Sequence, residues 1–124
     1  TATGRNEIFL ERKLRMRYIK VAQIAEIPAG NKKKISAEGK EILVTNIDGS
    51  YYALDNTCTH MGGSLYDGKL EGRHIVCPRH GSVFDATTGK ALGGGKLLFL
   101  KVKVSDLKTY PVKVEGTDLL IGIE

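Results

Sequence analysis

The chain has no Trp, and among its 124 residues there are only two Cys, three His, three Pro and two Met. It also lacks any long apolar run; Leu97–Leu100 spans four residues. A helical membrane span needs roughly 18 consecutive apolar residues, so none is expected. Residues 1–15 contain no apolar stretch of the roughly 7–15 residues that a secretion signal uses. A cytoplasmic chain that keeps its thiols reduced is therefore expected, and a disulfide between Cys58 and Cys77 is disfavoured. With three histidines in all, a second centre built from imidazoles beside a first is hard to assemble.

Charge is scarce in neither sign. There are 19 basic and 14 acidic residues, a formal +5. Part of the surplus sits in Arg5, Arg12, Lys13 and Arg15, and the rest alternates with apolar residues, as in Lys101-Val102-Lys103-Val104. That is the solvated face of a strand, not the aromatic-interleaved basic patch of a nucleic-acid binder, so no nucleic-acid partner is expected. The surplus favours acidic partner faces.

What is present in abundance is Gly, 15 residues, set between short alternating segments. This predicts an all-β fold of short strands and tight turns. The expected strands are Tyr18–Val21, Lys33–Ala37, Glu41–Asn46 (Ile42–Ile47 where it faces the second turn), Tyr51–Leu54, Leu98–Val104, Tyr110–Val114 and Leu119–Ile123. Asp48-Gly49, between apolar runs, predicts a hairpin because both residues tolerate positive φ; Glu38-Gly39 and Glu115-Gly116 mark further turns. Tyr51 and Tyr52 should place one ring inside and one outside. Lys32-Lys33-Lys34 reads as an exposed edge, where lysine discourages edge-to-edge pairing. Residues 1–15 read as an extension, mobile or foreign to the domain, with a short docking helix as the alternative. Residues 16–124 read as one domain.

Residues 56–92 break the alternation and hold the chemistry. Cys58-Thr59-His60-Met61-Gly62-Gly63 is followed, with sixteen residues intervening after His60, by Cys77-Pro78-Arg79-His80-Gly81-Ser82. The pattern C-x-H…C-x-x-H uses both cysteines and two of the three histidines. Positions i and i+2 of an extended segment point the same way, so Cys58 and His60 can face one centre; a turn at Pro78 can do the same for Cys77 and His80. Three readings compete on these residues alone: core cysteines with unrelated surface histidines, a structural zinc site, or a two-iron cluster in which two His replace two Cys on one iron. Zinc sites of this composition space their ligand pairs by two or more residues, whereas one residue separates Cys58 from His60.

The two boxes resemble the cluster-binding boxes of Rieske proteins. Asn56, Asp67-Gly68, Leu70-Glu71-Gly72, Phe84-Asp85 and Thr88-Gly89 match the flanks. The resemblance implies the Rieske fold, small antiparallel sheets with a two-loop cluster-binding tip. It implies one 2Fe–2S cluster per chain, with Cys58 and Cys77 on the inner iron and His60 and His80 on the outer iron near the surface. Quinol-oxidising members carry two extra Cys that tie the loops together and a Tyr near the second box. The matching positions here are Gly63, Arg79 and Phe84, so the sequence looks like the Rieske ferredoxins that feed oxygenases. Fewer hydrogen bonds to sulfur predict a potential in the lower part of the Rieske span of roughly −150 to +300 mV. Two ferric ions, two sulfides and two thiolates sum to zero charge with neutral His ligands, so reduction costs less than in an all-Cys cluster. The ferric state acidifies those ligands, and the midpoint is expected to fall in alkaline solution.

The function implied is that of a one-electron carrier with no catalytic site. A flavin-dependent reductase would be the donor, and an oxygenase or another reductase the acceptor. Only His74 remains after the boxes are used, too little for the mononuclear iron of an oxygenase. The chain is expected to be monomeric, meeting its partners in small transient interfaces. The alternatives are a nitrite-reductase-like small subunit and a zinc-stabilised binding module. Gly62, Gly63 and Gly81 are expected to let backbone amides approach the cluster, Met61 and Leu65 to shield it, Gly93-Gly94-Gly95-Lys96 to form a third flanking loop, and His74 to lie at the surface.

Overall fold

Turns set the register of the first half of the chain. The computed structural model describes residues 16–59, 62–79, 81–94 and 105–124. Glu38 and Gly39 have φ of 54° and 76°, and Asp48 and Gly49 have φ of 53° and 90°. Positive φ at both central residues twists a two-residue loop to match the strands it joins. The first turn links β2 (Lys32–Ala37) to β3 (Lys40–Ile47), and the second links β3 to β4 (Ser50–Asp55). Before them comes β1 (Arg17–Gln23), followed by a single 3-10 turn at Ile24–Glu26.

Three small sheets result, and every pairing is antiparallel. One holds β1 beside β11 (Asp118–Ile123), with β10 (Val112–Glu115) on the other side of β11. The second runs β2-β3-β4-β9, where β9 is Thr109–Tyr110. The third runs β5 (Lys69–Glu71), β6 (His74–Val76), β7 (Ser82–Asp85) and β8 (Ala91–Gly94). Among the described residues there is no α-helix, and no helix is long and apolar enough to cross a membrane.

β3 is the strand on which both cores depend. Ile42 and Val44 enter a core with Ile35, Leu119, Ile121 and Ile123, while Leu43 and Ile47 enter another with Leu54, Leu65, Ile75 and Phe84. A strand buried on both faces loses the apolar–polar alternation, and here Ile42-Leu43-Val44 is apolar throughout while Thr45 and Asn46 are buried polar residues. Each fully buried aliphatic side chain contributes about 1.5–3 kcal/mol. The second core also contains Cys58 and Cys77, so the candidate ligands belong to the hydrophobic interior.

Several expectations change. Tyr51 and Tyr52 are both half-buried, and each packs on a different core, because β4 is sandwiched between them. The segment expected as Tyr110–Val114 is two strands, because Pro111 has no N–H to continue a ladder. The four strands of the third sheet went largely unrecognised; each is three or four residues long, too short to show a period. Lys34 is exposed on β2, which is the edge strand expected. The proposed extension 1–15 and the strand Leu98–Val104 lie outside the described residues, as do Gly95 and Lys96.

Candidate metal centre

The two boxes fold alike. In the first, the Cys58 amide donates to the Gly63 carbonyl at 2.8 Å, and the Gly62 amide donates back to the Cys58 carbonyl at 2.9 Å. In the second, the Cys77 amide donates to Ser82 O at 2.8 Å, and the Gly81 amide donates to Cys77 O at 3.0 Å. The fourth residue after each Cys is a glycine at positive φ, 72° for Gly62 and 75° for Gly81. The last position of such a loop is left-handed, where a side chain would be strained. Of the three glycines expected to bring amides to a cluster, Gly62 and Gly81 use theirs to close the loops, and Gly63 closes the first through its carbonyl.

A third loop closes the same way. Asp85 N donates to Lys90 O at 2.9 Å and Gly89 N to Asp85 O at 2.7 Å, with Gly89 at φ 78°. Here the leading residue is a carboxylate that binds the Thr87 amide and hydroxyl at 2.8 and 2.6 Å. One backbone solution therefore serves three times, and the residue that opens the loop decides its chemistry. The match also shows a difference: the box histidine comes two residues after Cys58 but three after Cys77.

The cysteine loops abut. A Cβ built on Gly63 would lie 3.0 Å from the Cys77 sulfur and 3.0 Å from Cγ of Arg79. A side chain at that point would crowd the facing thiol and the Arg79 stem. Neither cysteine forms a disulfide, and each is 2% exposed. Phe84, Leu65 and Ile75, none of them exposed, surround them in the second core. Leu65 is buried in the same core as both cysteines. Met61, His60 and His80 lie outside the described residues.

The first loop is anchored from below by Asn56, which is fully buried. Its amide group donates to the Ser64 hydroxyl at 2.9 Å, and its carbonyl oxygen accepts from the Tyr66 amide at 2.9 Å. Its own backbone accepts from Leu65 and donates to Glu41. Along the sequence Asn56 stands out only as a flank of the first box, and its anchoring depends on a burial that only the fold creates. Thr59 adds a tie, its hydroxyl donating to Ser105 O at 2.6 Å. On the second side, Gly93 and Gly94 pair with Val83 and Ser82 as part of β8. They run beside the end of the second loop. His74 opens β6 and is exposed.

The donor set fits a cluster of the expected kind. Two buried thiols without a disulfide stand on two loops closed alike that meet at Gly63, and both belong to one core. A thiolate coordinating metal is the form in which buried cysteine would be used.

These loops, in a body of three small antiparallel sheets, define an iron–sulfur domain of the Rieske class. The chain belongs to the Rieske 2Fe–2S domain family, which residues 17–111 match, and its cofactor is a Rieske 2Fe–2S cluster. It is 40% identical over 107 residues to the ferredoxin component of the naphthalene 1,2-dioxygenase/salicylate 5-hydroxylase systems of a Ralstonia species, covering 86% of this chain and 96% of that one. The fold is similar to a ferredoxin of Sphingomonas yanoikuyae B1, with a TM-score of 0.76 and 31% identity over 87% of this chain and all of that one. It is also similar, at a TM-score of 0.73 and 26% identity over 84% of this chain and 91% of the other, to a chain in the complex of reduced oxygenase and oxidised ferredoxin of carbazole 1,9a-dioxygenase.

Proposed function

We propose that Cys58 and Cys77 hold one iron of the cluster and His60 and His80 the other, and that the chain is the ferredoxin component of a ring-hydroxylating oxygenase system. The observation that carries the ligand assignment is the contact of Gly63 with the Cys77 thiol. It sets the two boxes side by side, each closed by the same pair of backbone bonds. When bound, the cluster supplies a one-electron couple. The chain's own residues do the rest. Phe84, Leu65 and Ile75 keep water from the thiol side, and the loop glycines set the loop ends. Asn56 fixes the first loop to β3 and β4 before any metal arrives.

The relatives support the carrier role, since those described above are ferredoxins of dioxygenase systems or are similar in fold to such ferredoxins. In this reading the domain is residues 16–124, cytoplasmic and monomeric, with no catalytic site of its own. A reductase delivers single electrons and an oxygenase component withdraws them. A surface cleft of about 560 Å³ beside the second loop, lined by Lys32, Lys69, Arg79 and Asp67 among others, gives that flank a net basic rim. Such a rim favours encounter with acidic faces and makes the encounter rate fall as salt rises.

The test begins with anaerobic purification of the chain. Two irons and two acid-labile sulfides per chain with a red-brown spectrum are expected, and Cys77→Ser should lose both. Material containing zinc alone would overturn the assignment. For the carrier role, the dithionite-reduced protein is mixed with the oxygenase component of a naphthalene dioxygenase in a stopped-flow instrument. Reoxidation that depends on oxygenase concentration is expected; an unchanged reduced spectrum would remove the oxygenase from the proposal.

A further inference from the structure

Arg79 sits at the junction of the two loops. Its Cγ lies 3.0 Å from the point a Gly63 Cβ would occupy, and the Cys77 sulfur lies the same distance from that point. The aliphatic stem therefore runs across Gly63 next to the thiol. The residue is exposed, and no carboxylate of the described residues is bonded to its guanidinium. The other basic residues at this flank are differently placed. Lys69 pairs with Glu71 at 3.3 Å, and Lys32 lies over the Tyr66 ring at 5.1 Å. A cation with no paired carboxylate among the described residues is thus carried on a stem packed beside one of the two cysteines.

We infer that Arg79 is a potential-setting residue: its stem fixes the charge at the loop junction, and the charge favours the reduced, more negative state of the centre. This rests on the ligand assignment proposed above. The electron balance is simple. One electron enters, the charge of the site falls by one, no bond is made or broken, and a nearby cation is attracted more strongly afterwards than before. Because the guanidinium is exposed, the effect is of the size of an exposed ion pair. It corresponds to about a two- to fivefold change in the reduced-to-oxidised equilibrium constant at low ionic strength, and shrinks as salt screens it.

The experiment compares wild type with Arg79→Met, which keeps the stem without the charge, and Arg79→Lys, which keeps both. Midpoint potentials are measured by film voltammetry on cluster-loaded protein at low and at high salt. The expected result is a lower potential for Arg79→Met at low salt, a difference that contracts at high salt, and recovery in Arg79→Lys. Identical potentials for Arg79→Met and wild type at low salt would overturn the inference. If Arg79→Met does not take up iron, Arg79→Gln carries the same comparison. Failure of both, with Arg79→Lys loading normally, would make the cation an assembly requirement and also overturn the role in potential. Wild-type protein without iron or sulfide would instead break the ligand assignment, a distinct outcome.

Discussion

Two buried polar side chains near the cores have opposite fates. Asn56 engages both ends of its side-chain amide, donating to Ser64 and accepting from Tyr66. Thr45 is fully buried on β3, and its hydroxyl has no hydrogen-bond partner. An unmet buried hydroxyl costs about 1–3 kcal/mol, so a same-shaped apolar residue relieves the cost. Thr45→Val is expected to raise stability by about 1 kcal/mol, read as a higher urea midpoint with an unchanged slope. Asn56→Ala should do the reverse, costing about 2–3 kcal/mol because the Tyr66 amide is left without its acceptor. It should also speed loss of the visible absorbance under chelator, since the first loop would no longer be held to β3 and β4. A variant that loses stability but retains the cluster as long as wild type would show that Asn56 serves the fold and not the loop.

At the scale of elements, the three loops closed alike make a quantitative comparison possible. Gly89 ends the third loop at φ 78°, and a Cβ there would come within 2.3 Å of the Leu107 carbonyl oxygen. Gly116, in the β10–β11 turn, has φ 63° with nothing within 4 Å. Left-handed strain alone costs about 1–2 kcal/mol, so Gly116→Ala should lose about that much. Gly89→Ala must also move the chain at Leu107, whose amide bonds to Gly89 O at 2.7 Å, and should lose more; equal losses in denaturant titrations would refute the clash. The sequence made some of these elements plain and hid others. Asp48-Gly49 and Glu38-Gly39 announce their hairpins because few residues accept positive φ, and the paired boxes announce themselves because cysteine and histidine are so rare here. By contrast, the third sheet is built from strands that end before an alternation can be counted. The loop at Asp85 resembles the boxes only in its hydrogen bonds and its glycine. Pro111 is the one breaker whose effect could have been read in advance, splitting β9 from β10. The packing of Gly63 against Cys77 depends on distances across sheets, which no spacing along the chain encodes.

At the scale of the whole molecule, stability should fail at both ends of the pH range for separate reasons. The Asp118 carboxyl on β11 is held below its ordinary range by hydrogen bonds from Gln23 and Lys20 of β1. The Glu26 carboxyl is lowered by Lys33 and the Gln23 amide. Burial would raise Asp85, but the hydroxyl and amide of Thr87 and the Arg73 guanidinium outweigh it and lower it. A carboxyl lowered in the native state adds stability above its unfolded pKa, and that stability is lost as pH falls through the lowered native value. Tyr110 is opposite in sign. Burial first, and then its 2.6 Å hydrogen bond to Asp55, push its phenol above the ordinary value. Its contribution is complete below about pH 10, the unfolded value, and is lost as pH rises beyond it, because only the unfolded phenol ionises. Urea midpoints should therefore be flat from about pH 5 to 9, falling below about pH 4 and again above about pH 10. Tyr110→Phe separates the limbs. It should cost about 1 kcal/mol at neutral pH through the lost bond between β9 and β4, leave the acid limb unchanged, and flatten the alkaline limb so that the two curves converge as pH rises. An alkaline decline as steep in Tyr110→Phe as in wild type would assign that limb to other groups and leave Tyr110 a neutral-pH bond only.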